Sequence, residues 1–168
     1  MAMDDLRDNR SEPTTYNILF VCTGNTCRSP LAAAIAARAL DERGWHHVSV
    51  SSAGTAALPG AAASGLAVAV AAEHGLDLSH HESRPLTREL LEWADLVLGM
   101  SLSHLHAIAD EGGGAKAALL TDFLDGEGQG EPVEDPFGAD IHAYRRAFEQ
   151  IRNAVDGVLR RLEPILSP

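Results

Sequence analysis

The densest chemistry in the chain lies in Cys22-Thr23-Gly24-Asn25-Thr26-Cys27-Arg28-Ser29-Pro30. A thiol is followed six residues later by a guanidinium, with a hydroxyl directly after it. A thiolate is a strong nucleophile, and it is favoured where backbone N–H groups and a helix N-terminus converge. The same convergence binds a tetrahedral oxyanion. Arg28 adds a planar fork that can hold two phosphate oxygens, which a lysine cannot do. Ser29 can donate a hydrogen bond to the sulfur and help it leave when a thiophosphate is hydrolysed. Gly24 is expected to supply backbone geometry closed to other residues, and Asn25 to tolerate a left-handed conformation. Transfer of a phosphoryl group to sulfur leaves an atom that needs a proton. Asp135 is the candidate acid, and then the base that activates water. Pro136 stiffens its turn, and Phe137 can form an aromatic wall. The plain alternatives are a core cysteine ending a strand and an Asp-Pro that only makes a turn. The full spacing, a strand, then Cys-x5-Arg-Ser-Pro, then a helix, favours catalysis.

For these groups to meet, an apolar strand must stop at Cys22 and a helix must begin near Pro30. Apolar runs predict strands over 17–22, 48–52, 95–100 and 117–121. Helix-like segments cover 30–43, 62–74, 87–94 and 101–110. A long amphipathic stretch over 141–162 closes the chain, its apolar positions recurring at helical spacing. This alternation predicts an α/β single domain: a three-layer sandwich around a central four-stranded parallel sheet, with the phosphate-binding loop after the first strand. In such sheets ligands bind beyond the carboxyl ends of the strands. The glycine run 112–114 reads as a solvent-exposed loop, and the acidic segment 122–134 as a flexible approach to Asp135.

The chain's 168 residues suit one domain with a real core. Its net charge of −11 argues against nucleic acid or an anionic membrane as partner. Any anion site must therefore be a local positive feature. Residues 1–16 are polar and acidic and read as a disordered leader, with the folded domain over 17–166. The alanine-rich region 56–72 is broken by Pro59, Gly60, Ser64 and Gly65 and is too short to span a bilayer. Two cysteines make no disulfide scaffold, so a reducing cytoplasm is the simplest setting. The pairs His46-His47 and His80-His81, and His104-x-His106, lack cysteine or carboxylate partners at ligand spacing. They are expected to be surface histidines, with no metal and no cofactor. Nothing in the sequence sets an oligomeric state, and a monomer is the simplest expectation.

On these residues the sequence resembles the low-molecular-weight protein tyrosine phosphatase family, from about residue 17 to 162. The matching elements are Val21-Cys22 to Arg28-Ser29-Pro30, Ser52-Ala53-Gly54-Thr55, His81 to Arg84, Ala94-Asp95-Leu96-Val97-Leu98-Gly99-Met100 and Asp135-Pro136. The resemblance implies hydrolysis of phosphorylated proteins, with Cys22 as nucleophile, Arg28 as phosphate clamp, Ser29 as thiolate partner and Asp135 as acid. Thr23, Gly24, Asn25, Thr26, Cys27, Arg28 and Ser29 would form the phosphate loop. Asn25, Ser29, Ser52 and His81 resemble the polar network that holds that loop in shape. The resemblance also implies a reversible Cys22–Cys27 disulfide as redox control; the alternative is a small residue packed under the loop.

Within the family, the loop and Asp-Pro-Phe-Gly look most like the bacterial protein arginine phosphatases. Tyrosine-specific members usually carry an aliphatic residue where this chain has Thr26, and bulkier residues where it has Phe137-Gly138. Thr26 and Phe137 are therefore the expected specificity residues. A hydroxyl suits the polar P–N–guanidinium group, whereas a branched apolar side chain suits an aromatic ring. A tyrosine phosphatase remains the alternative. Arsenate reductases share the fold and loop but need further cysteines, and none follows Cys27. A non-catalytic phosphate-binding module would be expected to lack the nucleophile, the arginine or the acid, and all three are present.

Overall fold

The first strand decides the layering. β1 (Tyr16–Cys22) is a nearly continuous apolar run, as expected for a strand covered on both faces. Ile18, Phe20 and Cys22 enter one apolar cluster, together with residues of α1 (Arg28–Arg43), α2 (Gly65–Glu73) and α5 (Ile141–Leu166). Leu19 and Val21 enter a second, with Leu91 of α3 (Arg88–Trp93) and Ile108 of α4 (Leu102–Asp110). The computed structural model describes residues 15–166. Of the leader expected over 1–16, all but the last two positions lie outside the described residues, and Tyr16 already belongs to β1.

The sheet has the order β2-β1-β3-β4, with β2 at Val48–Gly54, β3 at Leu96–Gly99 and β4 at Ala117–Leu119. All three pairings are parallel. This is the four-stranded parallel sheet between helical layers that the alternation predicted. The register pairs Cys22 with Gly54 and Val21 with Gly99, so the carboxyl ends of three strands finish nearly level. Whatever follows them shares one edge of the molecule.

Element ends differ from expectation for local reasons. α1 begins at Arg28, two residues before Pro30, because a proline in the first turn sacrifices no helical hydrogen bond. α2 begins only at Gly65, where the Ser64 side chain accepts from the Ala67 N–H and caps it. β4 stops at Leu119 because the chain tightens into a 3-10 turn over Leu120–Phe123. α5 presses on that turn at Gly157, where any Cβ would collide with the Phe123 carbonyl. The acidic segment before Asp135 is tethered rather than free. Thr121 donates to the Glu131 carbonyl at 2.6 Å, and the Val133 N–H donates to Met100 at 2.9 Å. Among the described residues no helix is long and apolar enough to cross a membrane.

Candidate active site

Cys22 ends β1 with only 2% of its surface exposed. Its Sγ lies 2.9 Å from Ser29 Oγ. Ser29 Oγ also accepts from Asn25 Nδ2 at 2.8 Å, so its own proton must go elsewhere. The choices are the sulfur and the Ala53 carbonyl at 3.4 Å, and the shorter contact is to sulfur. α1 points its N-terminus into the same loop. Its N-cap, Cys27, makes no side-chain cap hydrogen bond, and no acidic residue occupies the first turn. By contrast, Ser64 and Thr87 cap α2 and α3. The first amides of α1 and the positive end of its dipole are thus left for an anion.

Asn25 organises the loop. It is fully buried and has φ of 57°, the left-handed region. Gly24, expected to need unusual backbone geometry, lies outside that region, and a Cβ there would meet only Thr26 Oγ1 at an ordinary 3.6 Å. The strained position is Asn25, because its side chain gains three partners there. Nδ2 donates to Ser29 Oγ and to Ser52 Oγ at 2.9 Å, and Oδ1 accepts from the Arg84 N–H at 2.9 Å. The Asn25 carbonyl accepts from His81 Nε2 at 2.7 Å, which fixes the proton of that ring on Nε2. His81 therefore reaches the loop, whereas His80 is exposed and lies 4.0 Å from Asp77. β2 closes in from the side at Gly54. A Cβ there would stand 2.9 Å from the Asn25 nitrogen and collide with the Thr23 carbonyl. Just beyond it, Thr55 and Ala56 donate their N–H groups to the Cys22 and Thr23 carbonyls, each at 2.9 Å.

Arg28 is buried, and its guanidinium faces the connection that carries Asp135. Nη1 donates to the Val133 carbonyl at 3.3 Å, and Nη2 lies 3.5 Å from Asp135 Oδ2. The Asp135 side chain remains more than half exposed. Its other oxygen accepts from the Phe137 N–H at 3.2 Å, a side-chain turn that holds the carboxyl in place. Phe137 stands beside it, 73% exposed. Thr26 is half-buried in the loop, with Oγ1 3.9 Å from Cys27 Sγ. Cys27 Sγ contacts Ser64 Oγ at 3.3 Å and Tyr144 OH at 3.4 Å, and both cysteines are free thiols. Burial first, and then the contact with Cys27, raises the Tyr144 phenol above its ordinary pKa.

Residues 17–165 match the family described as low molecular weight phosphotyrosine protein phosphatase. The chain belongs to this family. One relative is a protein-arginine-phosphatase of Bacillus subtilis (strain 168), 41% identical over 146 residues, spanning 87% of this chain and 93% of that protein. Another is a probable low molecular weight protein-tyrosine-phosphatase, EpsP, of Ralstonia solanacearum, 36% identical over 148 residues, spanning 88% and 97%. A solved structure of the YwlE arginine phosphatase, a cysteine-to-serine mutant with a phosphorylated active site serine, matches with a TM-score of 0.82 at 36% identity. That match covers 89% of this chain and 97% of the other. The chain is a phosphoprotein phosphatase of this low molecular weight family.

A histidine beside the loop also differs from expectation. His104, expected at the surface with the other histidines, is buried at 2% exposure. Its Nε2 lies 2.9 Å from Thr23 Oγ1 and its Nδ1 3.2 Å from Ser101 Oγ. Burial first, and then the nearby Arg28 charge, pushes the ring down to about 4, with Asp135 opposing. A signal for it was present in the sequence. His104 follows β3 by a few residues, and in parallel sheets such positions line the ligand edge.

Proposed function

We propose that this phosphatase hydrolyses phosphoarginine in proteins through a thiophosphate on Cys22. The Cys22 thiolate attacks phosphorus while Arg28 and the loop amides hold the non-bridging oxygens. The P–N bond breaks, and Asp135 gives its proton to the departing guanidinium nitrogen. Water then attacks phosphorus and yields its proton to Asp135. The S–P bond breaks, phosphate leaves, and the Ser29 hydroxyl 2.9 Å away eases return of the thiolate.

The observation that carries the choice of substrate is Thr26. A hydroxyl in the phosphate loop accommodates the polar N–H edge of a guanidinium, where an aliphatic residue would favour a ring. Asp135 supports this reading, since its carboxylate already faces a guanidinium in Arg28. Relatives named protein-arginine-phosphatase, at 38% and 41% identity, support it further. The exposed ring of Phe137 beside Asp135 favours the second reading, phosphotyrosine, because it can stack on an aryl leaving group. A monomeric enzyme in a reducing cytoplasm, with no nucleic-acid partner, completes the proposal. Two free thiols and a net charge of −11 support that setting.

The test compares phosphoarginine and phosphotyrosine peptides at matched concentration. The wild type is expected to favour phosphoarginine in kcat/KM. Thr26→Ile should move the ratio toward the aryl substrate by about tenfold or more. An unchanged ratio would count against the role of Thr26.

A further inference from the structure

We infer that His104 is a positioning residue of the phosphatase site: clamped between Ser101 and Thr23, its ring holds the first residue of the phosphate loop. The register brings it there, because β3 ends at Gly99 opposite Val21 and α4 starts at Leu102. Room is made for it as well. A Cβ on Gly99 would stand only 3.1 Å from the His104 Cβ.

Ser101 supplies a second observation. It is the N-cap of α4, yet it makes no side-chain cap hydrogen bond. N-cap serines ordinarily accept from an amide of the first turn. Here the hydroxyl lies within reach of His104 Nδ1 and of Ser103 Oγ at 2.9 Å. The helix forgoes a local stabilising bond, and the ring gains an anchor. Departures from local rules of this kind concentrate at functional sites.

Thr23 needs such a hold. Its carbonyl is fixed by the Ala56 N–H from the β2 side, but the residue is exposed, and its hydroxyl contacts the ring from the β3 side. Together the two contacts pin the residue next to the nucleophile from opposite directions. The charged groups facing the ring are Arg28 of α1 and Asp135 of the connection before α5. An uncharged imidazole adds no second cation beside Arg28 and no rival partner for Asp135. It can therefore orient the loop without disturbing the phosphate clamp.

The test is a double-mutant cycle on the full chain with para-nitrophenyl phosphate, which depends on phosphatase activity but not on the arginine preference. His104→Ala and Thr23→Val should each lower kcat/KM roughly tenfold, the loss of one well-placed hydrogen bond. The double variant should lose no more than either single one, since both remove the same contact. His104→Gln, whose amide can reach Thr23, should stay within about threefold of wild type. Multiplied losses in the double variant, or wild-type kcat/KM in a folded His104→Ala, would overturn the inference. Should His104→Ala not fold by circular dichroism, Thr23→Ser and Thr23→Val decide. Retained activity with serine and loss with valine supports the role, and equal activity of the two overturns it.

Discussion

Replacing Asn25 by alanine should damage this enzyme more than its small volume change suggests. Three side-chain hydrogen bonds vanish, to Ser29, Ser52 and the Arg84 N–H. Each contributes about 1 kcal/mol net. Alanine at φ of 57° adds about 1 kcal/mol of left-handed strain that asparagine partly escapes. The expected destabilisation is therefore about 4 kcal/mol. Loss of loop shape should also lower kcat on the order of a hundredfold, because the Ser29 proton is no longer directed at sulfur. Urea unfolding followed by circular dichroism gives the first quantity, and steady-state hydrolysis of an aryl phosphate gives the second. Asn25→Gly separates the two causes. It loses the same hydrogen bonds but none of its energy to backbone strain, and should be about 1 kcal/mol more stable than Asn25→Ala. An Asn25→Ala variant within about 1 kcal/mol of wild type, or a glycine variant less stable than it, would exclude this role for Asn25.

Two further expectations concern protons. Burial first, and then the Arg28 charge, push the native His104 ring from 6.5 down to about 4, so below pH 6.5 the unfolded chain takes up a proton that the native state refuses. Stability should rise as pH goes from about 4 to about 6.5 and then level off, by on the order of 2–3 kcal/mol in all. Urea midpoints at several pH values should show that slope reduced in His104→Gln, and an unchanged slope would exclude the ring as its source. Asp135→Asn should lower kcat/KM for phenyl phosphate about 10²- to 10⁴-fold, and far less for para-nitrophenyl phosphate, whose leaving group needs little protonation. Equal losses for both substrates would remove Asp135 from the acid's role.

The layering was legible because β1 is apolar at every position from Ile18 to Cys22 and the flanking segments repeat at helical spacing. Cys22, Arg28 and Asp135 stand out in the sequence as candidates because few chemistries use a strand, Cys-x5-Arg-Ser and a later Asp-Pro together. What sequence spacing concealed was tertiary. Asn25 takes the left-handed backbone expected of it while Gly24 needs no unusual geometry, and the buried partners that offset the strain at Asn25 leave no mark in the spacing. His104 looked like one of several surface histidines, because its partner Thr23 lies 81 residues away. Gly54 stood out only as part of the matching run Ser52-Ala53-Gly54-Thr55, and the approach of the loop backbone supplies its physical reason. The Arg84 amide could not be named at all, since backbone donors leave no mark in a sequence.

The partners of Asn25 carry a consequence for how the enzyme comes into being. Ser52, Arg84 and His81 lie 27, 59 and 56 residues further along the chain. Closing such loops is slow compared with forming a helix, and it must precede any reward from the contacts. The nucleophilic thiol is thus present from early in synthesis, but its cradle is assembled only after β2 and the segment around residue 84 have docked. During refolding, catalytic activity should return later than helical signal. A half-folded chain holds a cysteine with no phosphate cradle around it, so hydrolytic competence is conferred by completion of the fold itself.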